Sequence, residues 1–304
     1  MRIGVDIGGS HVGVGLLNER GTFLAKRERD LNNIEKKEEY SEILVETIID
    51  LITQSLEEKN INITDIELIG IAVPGIVSDT HIIKAENLHI KDFNIVAEIN
   101  KFFNVPIYLR NDAKCAAIAE KSRGGLKKCE DAIFVTLGTG IGGAVFLGGK
   151  LLKPQKYEGF EIGHIVIQKD GIQCNCGRKG CFEKYASMKA FKERITKAYD
   201  LNHLTGKEIK EFIDKHISEE KMNNVINDYV DDLAIGLANL INIFEPQKIA
   251  IGGSFVYFED ILLERLNIRI KQKNDIFNNN NIPQIMATKL KSDAGIIGAT
   301  IETE

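Results

Sequence analysis

Two stretches of this chain repeat each other. Residues 3–17 read Ile-Gly-Val-Asp-Ile-Gly-Gly-Ser-His-Val-Gly-Val-Gly-Leu-Leu, residues 133–147 read Ile-Phe-Val-Thr-Leu-Gly-Thr-Gly-Ile-Gly-Gly-Ala-Val-Phe-Leu, and the windows align without a gap. Each is an apolar strand, a glycine turn and a second strand, so the spacing predicts one β-hairpin used twice. A repeat at that separation calls for two related halves facing each other across a cleft. With 304 residues, 43% of them hydrophobic, the chain is long enough to bury two cores.

The turns suggest what the halves share. Gly8-Gly9-Ser10 and Gly138-Thr139-Gly140 expose backbone N–H groups without side chains in the way, a geometry that cradles phosphate oxygens. A tight hairpin also needs glycine for geometry alone; it is the pairing of the two turns that favours phosphate. Asp6, just before the first turn, can hold Mg2+ directly or through water. A third glycine turn, Gly252-Gly253-Ser254, follows the predicted strand Lys248–Ile251 and fits a wall against which a nucleotide base or ribose lies.

Three of the five cysteines fall in Cys174-Asn-Cys176-Gly-Arg-Lys-Gly-Cys181, ten residues after His164. Cys174, Cys176 and Cys181 with His164 make a Cys3His set that completes a zinc tetrahedron without water, which is a structural site. Gly177 and Gly180 allow tight turning around an ion. A disulfide, a C-x-C redox pair, or a core histidine beside a different fourth ligand are the other readings. Glu161 and Glu183 bracket this run. As solvated charges they do nothing; pinned by a metal, they suit a polyol whose hydroxyls carboxylates can read.

Elsewhere the pattern is mostly architectural. Leu44, Ile48, Leu51, Ile52 and Leu56 recur at helical spacing between Glu38 and Glu58, a packing helix. Asn87, in a loop after Pro74-Gly75, either caps a turn or bonds a ligand. The strand from Val105 runs through Asn111-Asp112 into an alanine-rich helix. Asp112 is there either a helix N-cap or a general base at the carboxyl end of a strand, where open α/β sheets place ligand contacts. Cys115 reads as a small buried hydrophobe, and Cys129 has no visible partner. Met222–Phe244 is apolar enough for a helix buried on more than one side, and Asn278–Asn281 is a polar, exposed loop. The small residues of the helix after Asp293 suit close packing.

The net charge of −5, with interspersed signs, leaves no electrostatic footprint for nucleic acid or an anionic membrane. Met1 leads straight into an apolar strand and no apolar run approaches the roughly 18 residues of a membrane span. A cytoplasmic location is expected, with no nucleic-acid or membrane partner.

Taken together, Asp6-Ile-Gly-Gly-Ser10, Pro74-Gly75, Asn87-Leu88, Asn111-Asp112-Ala113, Leu137-Gly-Thr-Gly-Ile-Gly-Gly143, Glu161-Ile-Gly-His164, the Cys174–Glu183 run, Gly252-Gly253 and Ala294-Gly295 resemble the ROK family of sugar kinases and repressors over nearly the whole chain. The C-x-C-G-x-x-G-C-x-E pattern downstream of E-x-G-H is highly specific. The resemblance implies an α/β fold of two actin-like ATPase (ribonuclease H-like) domains, each a mixed five-stranded sheet flanked by helices. Residues 1–112 with 290–304 would form the N-terminal domain and 113–289 the C-terminal domain with the zinc loop. ATP and sugar would sit in the cleft between them.

By the same likeness Asp112 is the catalytic base, and Asn87, Asn111, Glu161, His164 and Glu183 contact the sugar. Asp6, Gly8, Gly9, Ser10, Gly138, Thr139, Gly140, Gly252 and Gly253 would hold the nucleotide with Mg2+, and His164, Cys174, Cys176 and Cys181 a structural Zn2+. His164 would serve both zinc and sugar. Two positions depart from the family pattern: Phe160, where a small residue usually precedes the Glu and where the ring could narrow the sugar pocket, and Phe93, where Trp is common.

The expected activity is an ATP-dependent hexose kinase, foremost a glucokinase making glucose 6-phosphate, in a homodimer or homotetramer. N-acetylmannosamine, N-acetylglucosamine, mannose and allose are alternative acceptors. The reading from another class is a non-catalytic sugar-sensing protein or repressor, against which Met1 leaves no room for a helix-turn-helix ahead of the first core strand.

Overall fold

The first repeated window folds as the predicted hairpin, β1 (Arg2–Ile7) antiparallel to β2 (His11–Leu17), in a computed structural model that describes residues 1–9, 11–31, 40–153, 160–202, 204–273 and 282–302. Ser10 and the asparagine run 278–281 lie outside the described residues. The chain divides into two units, one built on Met1–Arg123 and Ser292–Glu304, the other on Gly124–Leu152 and Phe160–Lys291.

In the first unit, β3 (Phe23–Asp30), β2, β1, β4 (Leu68–Val73) and β8 (Ile107–Asn111) form a five-stranded sheet in that order. The hairpin edges are antiparallel, whereas β4 runs parallel to β1 and β8 parallel to β4. Every residue of β4 is buried, as an inner parallel strand covered on both faces requires. A smaller antiparallel sheet of β5 (Ile76–Val77), β6 (Ile82–Ala85) and β7 (Ile90–Phe93) stands between β4 and the short helix α2 (Ile95–Asn100) in the chain. Leu44, Ile48, Leu51, Ile52 and Leu56 of α1 (Tyr40–Lys59) are all buried, as their spacing predicts.

The last helix, α9 (Ala294–Ala299), explains why three strands carry glycine in one row. Gly4 pairs with Gly15 on β2 and with Gly70 on β4. A Cβ on Gly4 would fall on the Ile296 carbonyl and one on Gly70 on the Ala299 carbonyl, while Gly15 lies under the Ile296 side chain. The missing side chains form a trough for the helix. On its other side α9 packs against α3 (Asp112–Arg123), with Gly298 against the Cys115 carbonyl. That contact holds α3 in the first unit, which therefore runs on through Arg123, past the 112/113 boundary expected from sequence. Cys115 is fully buried beside Ala72 and Ala299, the small hydrophobe expected. Gly70→Ala should overpack this backbone contact and cost about 1–3 kcal/mol; thermal unfolding should show a melting point several degrees lower.

The second unit repeats the plan. Its sheet order is β11 (Lys150–Leu151), β10 (Ile141–Leu147), β9 (Ala132–Leu137), β12 (Lys248–Gly253), β13 (Gln284–Ala287), again a hairpin joined to two parallel strands. The repeat in the sequence is thus a repeat in topology, but it is not gapless. Ile7 pairs with Val12, whereas Leu137 pairs with Ile141, so the second turn is shorter by one residue than the alignment implied. Helices α4 (Glu183–Ala186), α5 (Met188–Ala198), α6 (Gly206–His216), α7 (Glu220–Phe244) and α8 (Glu259–Lys273) complete the unit. Met222, Ile226, Tyr229, Leu233, Leu237 and Ile241 of α7 are buried, and Gly236 leaves room for the Phe182 ring. Among the described residues no helix is long and apolar enough to cross a membrane.

Candidate active site

In the first unit the candidate residues gather at the carboxyl ends of β1 and β8. Asp6 sits near the end of β1, and the turn after it is closed by a hydrogen bond from Gly8 N–H to His11 O at 2.8 Å. A Cβ on Gly9 would stand 3.9 Å from that of Asn87, so the loop residue lies beside the first glycine turn. Asn111 takes the cap role that sequence allowed to Asp112. Its Oδ1 accepts the Lys114 N–H at 3.2 Å, and its Nδ2 donates to Gly75 O at 3.0 Å. Asp112, the first helical residue, accepts the Ala113 N–H at Oδ1 at 2.8 Å. With the cap supplied by its neighbour, this carboxylate is released for other chemistry.

Burial pushes the Asp112 carboxyl above the ordinary carboxylate range. Asp6 is raised to about 7, first by burial, then by the charges of Asp112 and Glu28, with Lys26 opposing. Asp6, a desolvated carboxylate raised further by the charge of a second one, is a hard-cation donor: a divalent ion would satisfy the charge that burial disfavours.

For stability, a carboxyl with a folded value near 7 against 3.8 ordinarily binds its proton more tightly in the folded state. Its contribution is therefore complete below pH 3.8 and drains away as pH rises to about 7. Asp6→Asn should accordingly raise the melting point above pH 7 in magnesium-free buffer and leave it unchanged near pH 4. Thermal unfolding at the two pH values checks the sign.

In the second unit the turn after β9 is closed by Gly138 N–H donating to Gly140 O at 3.0 Å. The N–H groups of Thr139 and Gly140 have no hydrogen-bond partner among the described residues, and the space a Cβ would take on Gly138 is open. Unpaired donors beside open space are what an anion needs. Gly252 and Gly253 end the neighbouring strand β12. Gly253 has φ +71° and lies against the Leu137 carbonyl, so the two strand ends are in contact.

The carboxylate of Glu183 reaches this turn: its Oε2 accepts the Ile141 N–H at 3.0 Å. Exposed Glu161 leads into a short turn, Ile162–His164. Phe160 before it adopts φ +57°, costly for an aromatic residue, and meets Phe244 edge-on at 6.4 Å against the second core. Its size thus serves core packing. Phe93 packs partly buried against the first core.

The four predicted metal ligands come together. One ligand atom from each of His164, Cys174, Cys176 and Cys181 lies within 4.8 Å of all the others. His164 Nδ1 is 3.6 Å from the Cys174 sulfur, and the Cys176 and Cys181 sulfurs are also 3.6 Å apart. A disulfide needs about 2.05 Å. A zinc tetrahedron built from bonds of about 2.3 Å to sulfur and 2.0 Å to nitrogen has edges of roughly 3.5–3.8 Å. The donor set therefore fits a soft or borderline cation. Gly177 at φ +88° and Gly180 at φ +77° make the turns, and Cβ on Gly180 would strike the Gln168 carbonyl. Hydrogen bonding from Arg178 lowers the Cys176 thiol to about 6, which makes it a ready thiolate, whereas burial raises Cys181 to about 12.

Sequence reading missed the supports of this loop. The Ile172 N–H donates to Tyr185 Oη at 2.7 Å, Arg194 donates to the Tyr185 carbonyl at 3.2 Å while paired with Asp232, and Tyr229 Oη donates to the Ala186 carbonyl at 2.9 Å. These bonds hold α4, and with it Glu183. Tyr229 read only as part of an apolar helix face, because its partner lies 43 residues away.

The chain resembles known proteins over nearly its whole length. The chain is 31% identical over 313 residues to the glucokinase of Thermotoga maritima, covering 98% of this chain and 95% of that protein. It is also 28% identical over 308 residues to the xylose repressor of Caldicellulosiruptor bescii, covering 97% of this chain and 76% of the repressor. Among solved structures, a ROK family glucokinase from Streptomyces griseus, in complex with glucose and AMPPNP, superposes with a TM-score of 0.79 at 23% identity, over 98% of this chain and 97% of that one. The fold is accordingly the α/β fold of the actin-like ATPases, with mixed sheets and helices. With the ROK family matching residues 2–302, and with the duplicated sheets, paired glycine turns and Cys3His cluster all in place, the chain belongs to the ROK family.

Proposed function

We propose that this protein is an ATP-dependent hexose kinase that transfers the γ-phosphoryl group to a sugar hydroxyl, with glucose as the acceptor and glucose 6-phosphate as the product. The observation that carries the reading is the Asn111-Asp112 corner. The N-cap duty falls to Asn111, and Asp112 is left as a desolvated carboxylate with raised proton affinity at the end of a strand. A base of that kind, in hydrogen-bond reach of a hydroxyl, is what phosphoryl transfer asks of the protein beyond positioning and charge neutralisation.

In this reading Asp112 accepts the proton of the attacking hydroxyl. Asn87, Asn111, Glu161, His164 and Glu183 bind the remaining sugar hydroxyls. The N–H groups of the turns at Gly8-Gly9 and Gly138-Thr139-Gly140 cradle phosphate oxygens, and Gly252-Gly253 lie beside the adenosine. Mg2+, held through Asp6, supplies charge neutralisation at the phosphates. Zn2+ on His164, Cys174, Cys176 and Cys181 orders the loop that carries the sugar contacts. The Nδ1 of His164 faces the sulfurs, so Nε2 is the nitrogen assigned to the sugar. A homodimer or homotetramer working in the cytoplasm completes the proposal.

The test is a panel of hexoses and N-acetyl amino sugars incubated with ATP and Mg2+, read as phosphorylated sugar. Turnover with glucose supports the reading, and turnover only with N-acetylmannosamine, N-acetylglucosamine, mannose or allose reassigns the acceptor. The similarity to a xylose repressor favours a second reading, a non-catalytic sugar sensor. No phosphorylated sugar, together with sugar-dependent DNA retardation, would replace the kinase with that sensor.

A further inference from the structure

The Glu183 carboxylate stands where two assigned functions meet. Its Oε2 accepts the Ile141 N–H, the first amide after the turn Gly138–Gly140, at 3.0 Å. The same oxygen occupies the place a Cβ on Gly140 would take, while Oε1 lies 3.9 Å from that position. Gly140 has no left-handed backbone angle, so what glycine provides there is the space the carboxylate fills. A second tie comes from the same part of the chain: Lys189 N–H donates to Gly138 O at 3.2 Å. The segment just after Cys181 thus grips the second glycine turn at both ends.

We propose that Glu183 couples the two substrates, Oε2 holding the turn that receives nucleotide phosphate and Oε1 receiving a sugar hydroxyl. The inference rests on the kinase reading and adds to it a route by which each ligand senses the other. A carboxylate beside a phosphate-binding turn opposes the incoming anion through like charge. A sugar hydroxyl donating to Oε1 draws on that charge and fixes the side chain, which favours the phosphates across the shared group. The coupling is reciprocal by thermodynamic necessity, so nucleotide must tighten sugar by the same factor.

Equilibrium binding of AMPPNP with Mg2+, measured with and without saturating glucose, gives the coupling factor. In the wild type it should be about tenfold, within the ordinary range for coupled sites. Glu183→Gln keeps the shape and an acceptor for Ile141 but removes the charge, and should bring the factor to about twofold or less. Gly140→Ala attacks the link from the turn, since its Cβ displaces Oε2; it should weaken glucose binding about tenfold with no nucleotide present. Melting point and metal content verify that each variant is folded. Coupling that survives in Glu183→Gln, or glucose affinity unchanged in Gly140→Ala, overturns the proposal, because the link would then run elsewhere. A wild type that binds neither glucose nor AMPPNP overturns the kinase reading itself.

Discussion

Asp112→Asn is expected to lower the turnover of sugar phosphorylation by about 10²–10⁴-fold, the range for loss of a positioned general base. An amide is nearly isosteric with the carboxylate and can still accept the Ala113 N–H that Asp112 Oδ1 accepts at 2.8 Å, so the start of α3 should survive. What the amide cannot do is take a proton. The loss should therefore fall on kcat, with KM for the sugar and metal content close to wild type. The substitution also removes the charge that, after burial, does most to raise Asp6, so the Asp6 carboxyl should titrate lower in the variant. For the wild type the pH dependence follows from the same group. As the proposed base, Asp112 would act only when ionised, and burial lifts its carboxyl above the ordinary range. Activity should accordingly fail on acidification at a higher pH than an unperturbed aspartate would allow. Steady-state kinetics across pH on both proteins tests the set, and a variant within tenfold of the wild-type kcat would remove Asp112 from the role of base.

The other large effect is expected from the Cys3His cluster. Cys176 is the exposed member of the four, so Cys176→Ser removes a ligand without opening a cavity in the core. Structural zinc contributes on the order of 10 kcal/mol to the folding of the segment that binds it. The variant should lose stoichiometric metal by elemental analysis, and sugar affinity should fall with it by roughly 10–100-fold, the cost of losing charge-assisted hydrogen bonds. The loss should reach the sugar because Cys181 lies two residues before Glu183 and because the Ile172 N–H in the same loop donates to Tyr185 of α4. A strong chelator added to the wild type should reproduce both changes. Wild-type protein without bound metal, or a variant that keeps its sugar affinity, would separate the cluster from ligand binding.

Much of this molecule is legible along the chain because the signals are local. Alternation of apolar residues around glycine turns gave both hairpins, and the spacing of three cysteines and a histidine gave the Cys3His cluster. Leu44, Ile48, Leu51, Ile52 and Leu56 gave the buried stripe of α1. The small residues after Asp293 announced a helix in close contact, without saying what it touches. Each of these follows from a rule that acts over a turn or two of backbone: strand period, helix period or coordination geometry.

What tertiary structure decided depends on residues far apart in sequence. Only the folded chain shows that Gly4, Gly15 and Gly70 form one trough under α9. Only there does the second hairpin turn prove one residue shorter than the first, with its first strand amide taken by a carboxylate 42 residues on. The assignment of Asn111 rather than Asp112 to the helix cap was equally hidden, since both residue types can cap and sequence does not say which side chain turns toward Lys114. The influence of Asp112 on Asp6 likewise exists only because β1 and β8 flank β4 in one sheet. Sequence by itself determined the elements and the inventory of reactive groups. Burial, partners and proton affinities were set by packing, because desolvation and hydrogen bonding depend on which distant neighbours exclude water from each group.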